Sequence, residues 1–505
     1  MILDGGQRYM AGCGAASPLI LSFRANRGGG KAVIETVKAQ DKIVDKFQPC
    51  MEMGAVMAAS MVDGTVVVNH GPSGCSISNT HFRSNNVPDG TNVPIFHTAV
   101  QQADLIYGGT PKMRDRVREV ANRYKGRADA IWLLSACATS MVQDDLVGVA
   151  RQVEGETGVP IIPLDTPGFQ GGYRLGAQMV YRALIDRFAD KSRKPQKGKI
   201  NIIGHHMMGS RNMIDDTYEI VRLLEAADVQ VNVHLTFNTR ISDLERFCEA
   251  EANYVLTPEV LPDFEAVTAE LGMENWGTDV VLPYGLANTE EWYLKIAERF
   301  GDVEKAKKQL KTDMNRVRRR IANDYNASWV MHDVAGKRVG VLGYSTFAAA
   351  MARYLFFDLN ARPAVVGLWA ETDRAMEVAK KQLEEIAPYV DMKVLDDPSY
   401  YQYGRMLVEE NVDFAIGQKN DRTLVEGLKI PHLGLGGFYY FNHFTFIPWP
   451  YAGVLGTLHL LTEMARVTDE VKSEKGGWIA RSYIKRDTPY DEIVQAGFRG
   501  CNPTL

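Results

Sequence analysis

The sequence predicts an α/β protein with three Rossmann-like parallel-sheet domains, an N-terminal arm and a C-terminal tail. Short apolar strands alternate along the chain with amphipathic helices, which is the pattern of parallel βαβ units. The chain has 505 residues, too many for one hydrophobic core, so several domains are expected. Two polar stretches interrupt the alternation, and a new strand begins after each of them.

Short apolar runs predict the strands, and apolar residues at helical spacing predict the helices between them. The predicted strands are Ile131–Leu134, Lys199–Gly204, Val229–Val233, Arg338–Leu342 and Pro363–Gly367. The predicted helices include Thr217–Ala227, Met376–Ile386 and a long charged helix from about Asp302 to Tyr325.

The two polar stretches set the domain boundaries. Residues 190–198 (DKSRKPQKG) are basic and contain a proline, which is typical of a linker, and the second stretch ends just before the strand at Arg338. The predicted units are an arm over residues 1–44, which is expected to be irregular, α/β domains over 45–195, 196–335 and 336–470, and a tail over 471–505.

Charge and hydropathy argue against several classes of function. The formal net charge is −5 at pH 7, so neither a nucleic-acid surface nor an anionic membrane surface is indicated. No apolar run reaches the roughly 18 residues that span a bilayer, and no signal peptide is recognisable. We therefore expect a cytoplasmic protein that binds neither nucleic acid nor membrane.

Six cysteines are present, and in a large cytoplasmic chain they are expected to be thiols. No C-x-x-C pair occurs, which argues against a zinc ribbon, a thioredoxin motif and a ferredoxin-type cluster. Cys50, Cys75 and Cys137 are predicted to lie in loops. Cys75 follows a further predicted strand, Thr65–Val68, and Cys137 follows Ile131–Leu134, so both lie at the edge of the sheet where ligands collect.

The surroundings of these three cysteines leave two interpretations open. Glycines beside Cys75, including Gly74, allow the backbone to approach a bulky inorganic group closely. Iron–sulfur clusters are held by cysteine thiolates, but three thiolates are an incomplete set for an ordinary four-iron cluster. Either a further ligand or a second chain completes a cluster site, or the three are buried structural cysteines.

Three motifs resemble the nitrogenase component 1 family. They are QPCMEMGA at residues 48–55, HGPSGC at 70–75, and Cys137 followed by DDL at 144–146. The resemblance covers about residues 45–470, including DTPGF at 165–169 and the late stretch 414–461. In that family three such cysteines of each subunit hold a P-cluster (8Fe–7S) that bridges an α-type and a β-type chain, while some relatives use a 4Fe–4S cluster. The resemblance therefore implies that Cys50, Cys75 and Cys137 are cluster ligands.

The same resemblance indicates a β-type subunit. The family's α-type chains bind the catalytic cofactor through a cysteine after a mid-chain strand and through a late histidine. The corresponding strand here, residues 253–256, is followed by Thr257. Cys248 is therefore expected to pack in the core, and His443 to be structural or at the surface rather than a metal ligand. Residues 431–453 also resemble β-type chains in length and glycine placement.

One residue departs from the family pattern. Nitrogenase β chains tend to carry a serine after Thr-Pro that can bind the oxidised P-cluster, and this chain has Gly168 there. The departure puts redox-dependent serine ligation in doubt and implies an all-thiolate cluster environment beside Gly168.

The resemblance also implies partners. They are an α-type subunit that carries a nitrogenase-like cofactor, in an α2β2 heterotetramer, and a homodimeric, ATP-hydrolysing iron protein that docks over the cluster. The family's docking surface includes an apolar residue before Gly-Gly. The matching segment is IYGG at residues 106–109, so Tyr107 is the docking candidate, with an ordinary surface tyrosine as the alternative.

Among divergent relatives, the chain is most like the methylthio-alkane reductases, which cleave carbon–sulfur bonds in small thioethers. The short arm and Gly168 make an ordinary nitrogenase β subunit a less suitable interpretation. The expected role is electron transfer from the iron protein, through the cluster, to the cofactor of the α-type chain. A nitrogenase β subunit, a chlorophyllide or protochlorophyllide reductase subunit and a cofactor-assembly scaffold are the alternatives.

Two further segments are interpreted as structural. GVLGYS at residues 340–345 lies between a strand and a helix but lacks G-x-G-x-x-G, so it predicts a helix-capping turn rather than a dinucleotide site. His205 and His206 are adjacent at a strand end and point in different directions, which argues against a metal pair.

Overall fold

The computed structural model describes most of the chain, namely residues 35–38, 50–84, 93–205, 212–256, 262–323, 334–418, 421–436 and 449–474. Within these ranges the protein is α/β with three parallel sheets, which confirms the predicted fold class. The predicted strands are present, each within three residues of its predicted ends. The domain boundaries remain a prediction.

The first sheet contains four parallel strands, in the spatial order Ile95–His97, Thr65–His70, Ala130–Ser135 and Ile161–Leu164. Its two central strands are buried along their whole length, because alternate side chains enter two different hydrophobic cores. The helices of this region are Met51–Ala59, Ser73–Ser84, Gln102–Tyr107, Thr110–Tyr124, Cys137–Met141, Leu146–Thr157 and Tyr173–Phe188. Burial on both faces explains why these strands are continuous apolar runs rather than alternating ones.

The second sheet is also four-stranded, in the order Glu274–Trp276, Ala250–Val255, Gln196–Ile203 and Gln230–Leu235. Its helices are Met213–Ala226, the 3₁₀ helix Ile241–Glu249, Pro262–Glu270, Gly285–Phe300 and Val303–Asn323. The last of these confirms the predicted long charged helix. A short parallel pairing of Val62–Asp63 with Thr239–Arg240 connects this region to the first.

The third sheet has six strands, in the order Glu35–Lys38, Lys393–Asp396, Arg362–Trp369, Arg338–Tyr344, Phe414–Gln418 and His432–Gly436. Its helices are Ser345–Phe357, Asp373–Glu384, the 3₁₀ helix Ala387–Tyr389, Tyr400–Glu409, Arg422–Gly427 and Gly453–Glu474. The expectation of an irregular arm is wrong at residues 35–38, since this segment pairs with the open edge of the sheet.

Two helices cross closely beneath the first sheet. A Cβ atom at Gly54 would lie 1.8 Å from the backbone oxygen of Tyr173, and one at Gly176 would lie 1.8 Å from that of Met51. Only glycine permits this approach, because any side chain would overlap the opposite backbone. The crossing holds the start of helix Met51–Ala59, and therefore Cys50, against the start of helix Tyr173–Phe188.

Candidate metal centre

Cys75 and Cys137 lie at the same edge of the first sheet. Strand Thr65–His70 leads to Cys75 and strand Ala130–Ser135 leads to Cys137, and these two strands are hydrogen-bonded neighbours. The prediction that both cysteines follow strands is confirmed. The prediction that they lie in loops is wrong, because Cys75 lies in the first turn of helix Ser73–Ser84 and Cys137 begins helix Cys137–Met141.

Cys50 reaches the same place from a different direction. It is the N-cap residue of helix Met51–Ala59 and forms an isolated antiparallel bridge with Gly172. The amide of Met51 donates to the carbonyl oxygen of Gly171 at 3.0 Å. The backbone at residues 171–172 therefore fixes Cys50, although neither the local sequence nor the sheet order brings it near Cys137.

Gly168 lies between Cys50 and Cys137. Its amide N–H donates a hydrogen bond to the Cys137 sulfur at 3.1 Å. A Cβ atom at this position would lie 2.8 Å from the Cβ of Cys50 and 3.3 Å from each of the two sulfurs. The structure thus brings Cys50 and Cys137 together and leaves no room for a side chain between them, and both lie close enough to Cys75 to raise the pKa of its thiol. An amide donor to a sulfur is the kind of contact that tunes an iron–sulfur site.

Glu52 is a polar residue of this site that the sequence analysis did not single out. Its side chain is 1 % exposed and accepts a hydrogen bond from the Asn69 amide at 2.7 Å. It also accepts a hydrogen bond from the Cys75 thiol. A carboxylate inside the otherwise apolar helix MEMGAVMAA was the signal that could have identified it, since buried acids usually have a specific partner.

The thiols of Cys50 and Cys75 are protonated at neutral pH when no metal is bound. Burial raises the pKa of Cys50, and burial together with the charge of Glu52 raises the pKa of Cys75 to about 12. Helix N-termini normally lower a thiol pKa, so desolvation dominates here. Any metal held at these sulfurs must displace their protons, which makes its binding stronger as the pH rises.

The three cysteines fit a polynuclear group better than a single ion. Among the described residues, no three His, Cys, Asp or Glu side chains are close enough to hold one metal ion. In a four-iron cluster each cysteine binds a different iron, so the sulfurs lie farther apart than the ligands of one ion. The half-exposed thiols, the open space beside Gly74 and the N–H donor of Gly168 are compatible with such a group.

Large apolar side chains that follow the cysteine site in sequence are exposed to solvent. Ile77, Met141 and Phe169 follow Cys75, Cys137 and Gly168 closely in sequence, and all three are exposed. Large apolar side chains grouped at a surface indicate a contact with another chain. A partner that covers them would also cover the incomplete set of thiols.

The docking candidate lies on the surface near this site. Tyr107 is 87 % exposed and ends helix Gln102–Tyr107, while Ile106 beside it is also exposed. Gly108 then turns the chain with a φ of +93°, a value that favours glycine. The role of Tyr107 in docking remains a prediction.

The other residues discussed in the sequence analysis separate into two groups. Cys248 is buried in the main hydrophobic core, as expected for a structural residue. The Nε2 of His205 contacts the carbonyl oxygen of Thr236 at 2.9 Å, so that nitrogen is not available to a metal. His206, Thr257 and His443 lie outside the described ranges, as do Cys13 and Cys501.

The fold and the site define an α/β protein with clustered thiols at strand ends, of the kind that binds inorganic cofactors. The chain belongs to the nitrogenase component 1 type oxidoreductase family, whose model matches residues 50–469. Members of this family typically bind iron–sulfur clusters and work with an α-type partner and an iron protein. The resemblance recognised in the three cysteine motifs is therefore confirmed.

Curated relatives and solved structures agree with this assignment. A light-independent protochlorophyllide reductase subunit of Acidiphilium rubrum is 25 % identical over 409 residues, which are 80 % of this chain and 77 % of that protein. The iron–molybdenum cofactor biosynthesis protein NifE of Clostridium pasteurianum is 22 % identical over 80 % of this chain and 84 % of its own length. A structure of nitrogenase Cp1 at pH 6.5 shares the fold, with a TM-score of 0.70 and 18 % identity, over 88 % of this chain and 97 % of that chain. In the described part of this chain, no helix is long and apolar enough to cross a membrane.

Proposed function

We propose that this chain is the β-type subunit of a nitrogenase-like reductase in the cytoplasm, and that Cys50, Cys75 and Cys137 hold its half of a bridging P-cluster-like site. The observation that carries the proposal is the meeting of Cys50 and Cys137 at Gly168, which three distant segments of the chain create. The cluster, when bound, supplies one-electron transfer. The α-type subunit completes the site and covers the exposed apolar residues around it.

The residues of this chain have distinct roles in that site. The three thiolates hold iron after loss of their protons, and the Gly168 amide donates to the Cys137 sulfur. Glu52 and Asn69 form a buried polar contact behind Cys75. Gly168 offers no oxygen ligand, so thiolates alone bind the cluster at that position. Tyr107 contacts the iron protein, which delivers the electrons.

The catalytic cofactor lies in the α-type subunit rather than in this chain. No cysteine follows the strand Ala250–Val255 at Thr257, and the nearby Cys248 is buried in the core. We propose that the complex reduces methylthio-alkanes. Two electrons and two protons then convert the thioether into a hydrocarbon and methanethiol, with cleavage of the bond between the alkyl carbon and sulfur.

Iron quantification and EPR spectroscopy of the purified complex with its partner chain test the cluster assignment. Two metal centres are expected for each αβ pair, and Cys75→Ala should remove the interface centre and weaken the α–β contact. Cys248→Ala is the matched control, because it removes a thiol that lies in the core and should leave the iron content unchanged. Unchanged iron in Cys75→Ala would refute the ligand assignment.

The same measurements separate the alternatives. A single four-iron signal would favour a tetrapyrrole reductase subunit, and loss of a precursor cluster to an acceptor protein would favour an assembly scaffold. The substrate is tested by supplying ethyl methyl sulfide together with the iron protein, ATP and a reductant. Formation of methanethiol supports the proposed reaction, whereas reduction of dinitrogen or protochlorophyllide alone contradicts it.

A further inference from the structure

A buried pair of side chains lies between the docking candidate and the cysteine site. His70 ends strand Thr65–His70, and its Nε2 lies 2.9 Å from Oδ2 of Asp144. Its Nδ1 lies 3.0 Å from the hydroxyl of Thr98, which also accepts the Gly71 amide at 3.2 Å. Because the Asp144 carboxylate can only accept, His70 carries its proton on Nε2, facing Asp144, and Nδ1 accepts from the Thr98 hydroxyl. Burial lowers the pKa of His70, so the ring is neutral at pH 7.

The surface side of this pair holds the turn after Tyr107. Oδ1 of Asp144 accepts the Gly109 amide at 2.8 Å and the Thr110 hydroxyl at 3.0 Å. A Cβ atom at Gly109 would lie 2.6 Å from the Asp144 carboxylate and 3.1 Å from the His70 ring. The turn thus rests directly on the buried pair, and only glycine fits at the contact.

The interior side of the same pair holds the helix that begins at Cys137. The carbonyl oxygen of His70 accepts the Ala136 amide at 3.0 Å and the Thr139 hydroxyl at 2.7 Å. The amide of Asp144 donates to the carbonyl oxygen of Thr139 at 3.3 Å. Residues on both sides of Cys137 are therefore bonded to the pair that holds the docking turn.

We propose that His70 and Asp144 are positioning residues that couple the docking turn, residues 106–109, to the Cys137 helix, so that iron-protein binding at the surface orders the cluster-holding segment. The inference rests on the proposed function, because it assumes an iron protein that docks at this turn. A neutral histidine with two directed hydrogen bonds has one preferred orientation, so displacement of Asp144 displaces its ring. Buried polar networks of this kind transmit displacement because each member is held by directional bonds.

A nearby ion pair provides a matched control. Lys112 contacts the Asp104 carboxylate at 2.7 Å and the carbonyl oxygen of Ala99 at 2.9 Å, and it braces the helix that leads to Tyr107. Neither Lys112 nor Asp104 forms a hydrogen bond with His70, Asp144 or the Cys137 helix in the described structure, although the charges of both act on His70. Lys112→Met should therefore alter the docking helix while leaving the hydrogen bonds of His70 and Asp144 in place.

Hydrogen–deuterium exchange of the intact complex, with and without its iron protein, tests the coupling. In the native complex, docking should slow exchange in peptides covering residues 106–110 and also in those covering 136–141, the latter by about fivefold or more. Asp144→Asn keeps the shape of the side chain. In this variant docking should still slow exchange at residues 106–110 but should not slow it at residues 136–141. Lys112→Met should retain the effect at both segments.

The outcomes distinguish the inference from the proposed function. Protection of residues 106–110 alone in the native complex overturns the coupling and leaves the docking assignment intact, while no protection at either segment overturns both. If Asp144 has only a structural role, exchange in Asp144→Asn should be faster than in the native complex, while docking slows it by the same factor as in the native complex. That result also overturns the coupling. If Asp144→Asn does not fold, Thr139→Val decides, because it removes the hydroxyl that bonds to the His70 carbonyl oxygen and to the backbone of Ala136. It should abolish protection at residues 136–141.

Discussion

The first and third sheets have the same βα architecture, but they differ in the residues that follow the carboxyl ends of their strands. At the carboxyl edge of the third sheet, Tyr344 and Trp369 pack edge to face, and the Trp369 ring donates to the carbonyl oxygen of Pro398. Helix Ser345–Phe357 follows at once and is buried through Leu355. At the corresponding edge of the first sheet, small residues and half-exposed thiols follow the strands.

This difference shows how one architecture forms a filled core in one place and a cofactor site in another. Gly340 and Gly343 in the third sheet lie against Leu407 and Phe347, so large side chains fill the space that those glycines leave. In the first sheet no protein atom lies within 4 Å of a Cβ built at Gly74. The predicted helix-capping turn at residues 340–345 is wrong, because residues 340–344 continue the strand Arg338–Tyr344, Ser345 begins the next helix, and the N-cap residue Tyr344 makes no side-chain capping hydrogen bond. The burial of this segment agrees with a structural role.

The largest expected effect comes from the helix crossing that supports the first site. Gly176→Ala should lower the free energy of unfolding by more than about 4 kcal/mol, because its Cβ would overlap the Met51 backbone oxygen. Gly155→Ala is the control, since Gly155 is an exposed helical position with nothing within 4 Å. This control substitution should raise the free energy of unfolding by up to about 1 kcal/mol. Urea unfolding measures the free energy of unfolding of the two variants. Equal values for Gly176→Ala and Gly155→Ala would contradict the close crossing of the helices.

A second prediction compares a glycine at the cysteine site with a glycine in the third-sheet region. Gly168→Ala should lose most of the cluster iron, because its Cβ would push Cys50 away from Cys137. Gly427→Ala, at an exposed helix position in the third-sheet region, should keep its iron. Iron analysis of each purified complex gives the answer. Full iron occupancy in Gly168→Ala would mean that the cluster does not require this close approach.

A third prediction uses pH, to which the two regions respond in opposite directions. Burial raises the pKa of Asp421 in the third region from 3.8 to about 7, so its contribution to stability is fully present below about pH 4 and is lost as the pH rises towards 7. Burial lowers the pKa of His70 in the first region below 6.5, so its contribution is present above pH 6.5 and is lost as the pH falls.

Asp421→Asn should therefore reduce the decline in unfolding free energy between pH 4 and pH 7. The neutral amide keeps the shape of the side chain and does not titrate. Urea midpoints measured across this interval test the effect, with the exposed Asp391→Asn as control. An unchanged pH profile for Asp421→Asn would show that the carboxyl is not protonated in the folded protein.

The smallest expected effect on stability is at the exposed tyrosines. Tyr107 is 87 % exposed and Tyr401, in the third region, is 74 % exposed, so replacing either by alanine should change the unfolding free energy by no more than about 0.5 kcal/mol. Only Tyr107→Ala should slow electron transfer from the iron protein, as followed by stopped-flow spectroscopy. Equal rates in the two variants would remove Tyr107 from the docking surface.

The sequence by itself determined the sheet class, several central strands and the long charged helix, because periodicity and apolar runs are local properties of the chain. It also placed Cys75 and Cys137 at strand ends, since a strand and the residues after it are neighbours in sequence. It did not determine that both cysteines begin helices. The short segments after Gly71 and Ser135 could equally have formed turns, and contacts such as that of Thr139 with His70 select the helix.

Only the tertiary structure decided which residues meet. Cys50 and Cys137 are far apart in the chain and come together because Gly168 and the backbone at 171–172 lie between them. His70 and Asp144 are separated by 74 residues and share one buried contact. Such pairings depend on how helices pack onto a sheet, so they cannot be predicted from a local sequence pattern. For this reason the motifs could indicate the family, while the close approach at Gly168 and the pair beneath the docking turn required the fold.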